Sequence, residues 1–197
     1  MISAVYSEHT VRVYQAYGAD IAIPALTAGR FVAPFSTRRM TWIKTSFNWM
    51  MYRSGYATKS RQEFVLGIDI TRTGFEWALR HASLSSYLPG FHSSFDDWKR
   101  AIETMPVRIQ WDPERDWRLQ PIAGRKAIQI GLSGDAVDRY VNDWIIRIED
   151  ATSTARIFAE AARTGSGPPL PADRSERPYP LDPAIAVAIC PPLKRSC

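Results

Sequence analysis

The stretch Glu63–Ile70, EFVLGIDI, is an apolar run of strand length, and it sits among segments that switch repeatedly between the two-residue period of strands and the three-to-four-residue spacing of helices. That alternation predicts an α+β fold, a single domain over residues 1–163 with mixed, mostly antiparallel sheets and flanking helices. Thr10–Ala16 (TVRVYQA) is the first strand, with Val11 and Val13 on one face and Arg12 and Tyr14 together on the other. Asp20–Ala28 follows as a helix capped by Asp20 and stopped by Gly29.

Met40–Thr45 is a second strand. Ser46 then caps a helix to Ser54 that Gly55 ends, with Phe47, Met50 and Met51 on one face and Trp49, Tyr52, Arg53 and Tyr56 on the other. Helices are expected at 74–82, 94–105, 137–144 and 153–163, and strands at 107–111, 126–132 and 145–148. Pro113 in the charged run DPERD is expected to end the ladder between the strands at 107–111 and 126–132. Beyond Thr164 the composition changes: eight of the fourteen prolines lie between Pro168 and Pro192. Residues 164–197 therefore read as an extended tail.

The longest apolar run, Ala184–Ile189, is far too short to span a bilayer. The first residues lack the basic and apolar regions of a secretory signal. Cys190 and Cys197 cannot staple a core from the last eight residues. A reducing, cytoplasmic location is the expectation. His9, His81 and His92 have no ligand spacing, so no metal is expected.

Charge is the strongest functional signal. Between Ile21 and Gln62 there are seven basic residues and no acidic one, more than the whole-chain net charge of +5. Arg30, Arg38, Arg39, Lys44, Arg53, Lys59 and Arg61 would attract a phosphate-bearing partner, a nucleotide or a nucleic acid bound through residues 30–61. Within 38–62 the cations alternate with Trp42, Trp49, Tyr52 and Tyr56, which suits stacking on a base or a nicotinamide ring. A core role for the tryptophans fits the same spacing. The carboxylates of Asp112, Glu114 and Asp116 and, later, Glu149 and Asp150 are candidates for general acid-base work at strand ends. Pairing with the basic segment or helix capping explains them as readily.

The strings VRVYQAY (11–17), RMTWIKTSFNWMMYRSGYATK (39–59), QEFVLGIDITRTGFEWAL (62–79), IQWDPERD (109–116) and IQIGL (128–132) closely resemble the family known as domain of unknown function 4291, over about residues 1–160. The family has Pro where this chain has Thr45. The order of elements also resembles the NAD-binding half of ADP-ribosyltransferases. That resemblance implies NAD as the substrate-cofactor, cleavage of its nicotinamide glycosidic bond, and NAD contacts from Arg12, Thr45 and Ser46; the shared strand face and the basic aromatic segment add Tyr14, Lys44, Trp49, Tyr52 and Arg53 as expected contacts. The resemblance puts the catalytic group at Gln129, where the superfamily has Glu or Gln, with Glu114 or Glu149 as substitutes. The alternative is a non-enzymatic RNA or single-stranded nucleic-acid binder using residues 38–62.

Overall fold

A computed structural model describes residues 1–167 and 175–191. Its centre is a seven-stranded sheet of order β5-β6-β7-β3-β2-β4-β8. The strands are β2 (Thr10–Tyr17), β3 (Thr41–Lys44), β4 (Phe64–Thr71), β5 (Ala82–Leu84), β6 (Val107–Arg115), β7 (Pro121–Leu132) and β8 (Ile145–Asp150). Only β5 and β6 run parallel; the other neighbours are antiparallel. The fold is α+β.

Alternation along each strand divides the sheet into two faces. Val11, Val13, Ile43, Leu66, Ile68, Ile70, Ile128 and Ile130 form the larger core. Helices α1 (Ala19–Ala28) and α3 (Arg72–Arg80) cover it, with α5 (Asp135–Arg139) and a π-helical turn at Tyr140–Trp144. Gly74 of α3 lies directly beneath Trp144, where a Cβ would meet Cγ of the indole at 2.4 Å. The opposite face carries a smaller core of Tyr14, Val65, Phe47, Met50, Met51, Ala155 and Phe158. It is covered by α2 (Phe47–Ser54) and α6 (Thr152–Thr164). The last helix before the β6–β7 hairpin, α4 (Phe95–Thr104), is capped by Ser94, which accepts from Asp97 N.

Two expectations change. First, β6 continues through Pro113 to Arg115, and β7 begins at Pro121. The ladder accommodates proline by shifting register between Pro113 and Arg115. The turn falls at Asp116–Gln120 instead, where the Asp116 carboxylate accepts from Arg118 N (2.9 Å) and Gln120 N (2.8 Å). Second, the described part of the expected tail is packed. Arg177–Pro178 forms β9, paired antiparallel with β1 (Ser3–Ala4), and Pro183–Ile189 forms α7, capped by Asp182. Tyr179, Ile185 and Ile189 are buried in the larger core. The Tyr179 hydroxyl donates to Glu76 (2.8 Å) and accepts from Arg72 Nε (3.1 Å). Trp111 Nε1 donates to the Ile189 carbonyl at 2.7 Å. Proline at the first position of a helix costs no hydrogen bond, so Pro183 opens α7 and puts Ile185 and Ile189 on its buried face. The rest of the expected tail, including Cys197, lies outside the described residues. No helix among the described residues is long and apolar enough to cross a membrane.

Because Ile189 is fully buried, Ile189→Ala should cost about 2–5 kcal/mol in urea denaturation. Truncation at Thr164 should lower the melting temperature by more than that single change does.

Candidate functional site

The β2–β4 ladder runs the full length of β2, from Thr10↔Thr71 to Tyr17↔Phe64, whereas β2 meets β3 at the single pair Tyr14↔Lys44. Past that pair β3 pairs with β7 alone. Backbone groups released by the parting need other partners. The Trp42 carbonyl takes two, accepting from Lys44 Nζ at 2.8 Å and from Gln15 Nε2 at 3.2 Å. Gln15 Nε2 also lies 2.7 Å from Thr41 Oγ1, and its carbonyl accepts from the Tyr140 hydroxyl at 2.7 Å. Burial pushes the Tyr17 hydroxyl up to about 12, against the opposing influence of the Thr41 hydrogen bond and of Arg39.

The gap between the strands is a cleft of about 340 Å³. Tyr17, Phe35 and Trp42 supply aromatic walls, and Arg39, Lys44 and Arg53 supply charge. The lining contains no acidic side chain. Arg39 comes from the loop before β3, Lys44 from the end of β3, and Arg53 from the last turn of α2. The placement of Arg53 depends on local chemistry. Ser46 accepts from Trp49 N to begin α2, and Gly55, at φ 60°, ends it in the left-handed region.

Lys44 is only 8% exposed. Its Nζ lies 6.0 Å from the centre of the Trp49 ring. Among the described residues it has no ion-pair partner. Burial, and then the nearby Arg53 charge, push its amine down from the ordinary 10.5 to about 7.

The remaining expected site residues stand elsewhere. Arg12 and Tyr14 do share a face, but Arg12 is held by carboxylates. Its Nε and Nη2 donate to Asp69 at 2.7 and 2.6 Å, and Nη1 donates to Glu149. Gly67 lies across the path of the guanidinium, where a Cβ would come within 3.0 Å of Nη1. Burial opposes the Arg12 charge, but the two carboxylates outweigh it and raise its pKa. Glu149 also pairs with Arg147 at 3.1 Å. Tyr14 is buried against Phe47.

Trp49 is buried, while Tyr52 is exposed and stacks under the Arg115 guanidinium at 3.8 Å. Thr45 and Ser46 are buried, and the Ser46 hydroxyl donates to Glu114 at 2.7 Å. Gln129 lies beside Lys44 in register and donates to Asp112. Of the expected binding residues, then, the cleft gathers Arg39, Trp42, Lys44 and Arg53. It adds Gln15, Tyr17 and Thr41. Gln15 carried a faint signal, a polar side chain following Val11 and Val13 on the core face. Nothing in the sequence showed that β3 would leave β2.

Sequence reading also missed Glu176. It accepts from Phe47 N at 2.7 Å at the start of α2. Its burial pushes the carboxyl up to about 8; the Phe47 hydrogen bond works against the shift and neighbouring Glu114 adds to it. No group of three or more His, Cys, Asp or Glu among the described residues is placed to hold a metal.

A family model described as domain of unknown function (DUF4291) matches residues 1–177. The chain belongs to that family. The match reaches β9 and so takes in the cleft, the smaller core and the Arg12 cluster, while Tyr179, Ile185 and Ile189 of the larger core lie beyond it. Searched against curated proteins, this member of the domain of unknown function 4291 family finds no match.

Two measurements test these assignments. The folded Lys44 amine titrates near 7 and the unfolded one near 10.5. Between those values only the unfolded chain holds the proton, so stability should rise with pH across that window, by a few kcal/mol at most, and be lost as pH falls toward 7. Lys44→Met should abolish that slope in urea denaturation. Arg12→Met, which strands two partly buried carboxylates, should cost roughly 3–5 kcal/mol.

Proposed function

We propose that the protein binds a nucleotide in the cleft between β2 and β3, with NAD as the first ligand to test. The observation that carries this reading is the convergence of Arg39, Lys44 and Arg53 on one cleft whose lining has no acidic side chain. Three cations without internal counterions make a site for phosphate, and a guanidinium binds phosphate oxygens in bidentate fashion. A volume near 340 Å³ lies at the lower end of small-molecule sites. It suits one nucleotide half, with Tyr17, Phe35 or Trp42 against the base.

Arg12, expected to contact NAD, already serves Asp69 and Glu149, so this reading gives the phosphates to Arg39 and Arg53. The catalytic form of the proposal is ADP-ribosyltransferase-like cleavage of the nicotinamide bond. Gln129, next to Lys44 in register, and Glu114, bonded to Ser46, are the groups for stabilising a developing ribose cation. A nucleic-acid strand running from the cleft over the exposed Arg38, Lys59 and Arg61 is the competing occupant.

Calorimetry with NAD and with single-stranded RNA, each at two salt concentrations, separates the two. For NAD the salt dependence should be shallow, and Arg53→Ala or Arg39→Ala should weaken binding by roughly tenfold or more, the loss of a charged hydrogen bond. Arg61→Ala should leave it unchanged. Steeply salt-dependent RNA binding weakened alike by Arg38→Ala, Lys59→Ala and Arg61→Ala would assign the surface to nucleic acid. No heat from NAD at millimolar concentration would overturn the nucleotide reading.

A further inference from the structure

Lys44 is unlike the other cations of the cleft. It is buried, its Nζ makes one hydrogen bond, to the Trp42 carbonyl, and no carboxylate pairs with it among the described residues. The groups around it come from every neighbouring element. Arg53 and the Trp49 ring lie on α2, Tyr14 on β2 and Gln129 on β7, and Arg39 lies in the loop before β3. Each charged group in that set is cationic. A lysine needed only to hold phosphate would be better placed at the rim, where solvent sustains its charge. One desolvated beside another cation is instead activated as a nucleophile, because its lone pair is free at neutral pH.

We propose that Lys44 is the nucleophile of this cleft and forms an imine with a phosphorylated aldehyde or ketone, such as the open-chain form of a ribose phosphate, whose phosphate rests on Arg39 and Arg53. The proposal builds on the phosphate-binding reading given above. The Nζ lone pair forms the C–N bond to the carbonyl carbon, and the C=O π pair moves to the oxygen. Nitrogen gives up a proton and the oxygen gains one, yielding a carbinolamine. The hydroxyl then takes up a proton from solvent and leaves as water while the nitrogen pair closes the C=N bond, and the iminium nitrogen returns its remaining proton to solvent. One amine and one carbonyl give one imine and one water, with no oxidant or reductant. The Trp42 carbonyl, which accepts from Nζ at 2.8 Å, holds the amine at the cleft.

The test treats the full chain at neutral pH with pyridoxal 5′-phosphate, an aldehyde that carries a phosphate, fixes the imine with borohydride and locates the modified lysine by peptide mass spectrometry. Lys59, Lys99 and Lys126 are exposed and serve as internal controls. An ordinary solvated lysine is neutral to only about one part in a thousand at pH 7, so Lys44 should be modified at least about tenfold faster than the controls. Inorganic phosphate should slow that reaction, and pyridoxal without its phosphate should label Lys44 weakly. Equal labelling of Lys44 by both aldehydes, unaffected by phosphate, would keep the nucleophile and remove the phosphate site. Labelling confined to Lys59, Lys99 and Lys126, with inorganic phosphate still raising the melting temperature in an Arg53-dependent way, would keep the site and overturn the nucleophile. Arg53→Ala should lose the preference for pyridoxal 5′-phosphate over pyridoxal while Lys44 remains the labelled residue.

Discussion

The parting of β3 from β2 after Tyr14↔Lys44 is the constraint on which the cleft and its chemistry depend. A strand pair that stays zipped buries its own carbonyls and leaves no room between its backbones. Here β4 pairs β2 along its full length and β7 draws β3 the other way. The opened interval is bridged by side chains, Gln15 to Thr41 and to the Trp42 carbonyl. Lys44 lies at the last common pair, its backbone in the ladder and its amine at the gap. The desolvation that lowers its pKa follows from that position, as does the double load on the Trp42 carbonyl.

Charge is distributed over the sheet in two different ways. On β2, β4 and β8 the face toward α6 carries the compact cluster of Arg12, Asp69 and Glu149, in which cation and carboxylates satisfy one another. Such a group fixes register and is costly to break, but it offers little to a ligand. At the cleft, by contrast, Arg39, Lys44 and Arg53 converge without a carboxylate in the lining. Mutual repulsion there is a cost that an anion would relieve. The contrast between a neutralised cluster and an uncompensated one, on one sheet, is why binding is assigned to the second.

The segment after Thr164 shows how composition can mislead about packing. Its prolines suggest an extended tail, yet the segment supplies β9 and α7, and Tyr179, Ile185 and Ile189 enter the larger core. Trp111, on the β6–β7 hairpin, reaches the Ile189 carbonyl. Ile185 and Ile189 lie four residues apart on one face of α7, so a helix of seven residues is enough to close that side of the core. Glu176 illustrates the same point for the candidate site. It lies in that segment, yet it accepts the first amide of α2.

Much of the fold was legible locally, because local signals act within one turn or one strand. Ser46 and Gly55 set the ends of α2, Gly29 stopped α1, and the alternation in β2 put Arg12 and Tyr14 on one face. The basic composition of 21–62 was likewise present in the sequence. What the sequence could not decide was which of the chain's cations would be neutralised by distant carboxylates and which left open. Arg12 meets Asp69 and Glu149 from 57 and 137 residues away, whereas Arg39, Lys44 and Arg53 line a cleft that has no acidic side chain in its lining. Nor could it show that Pro113 would be absorbed by a register shift, since the outcome depends on how the hairpin closes at Asp116. Residue type and spacing determined the elements and the sign of the charge. Strand pairing, which joins residues far apart in the chain, decided where that charge faces a cleft.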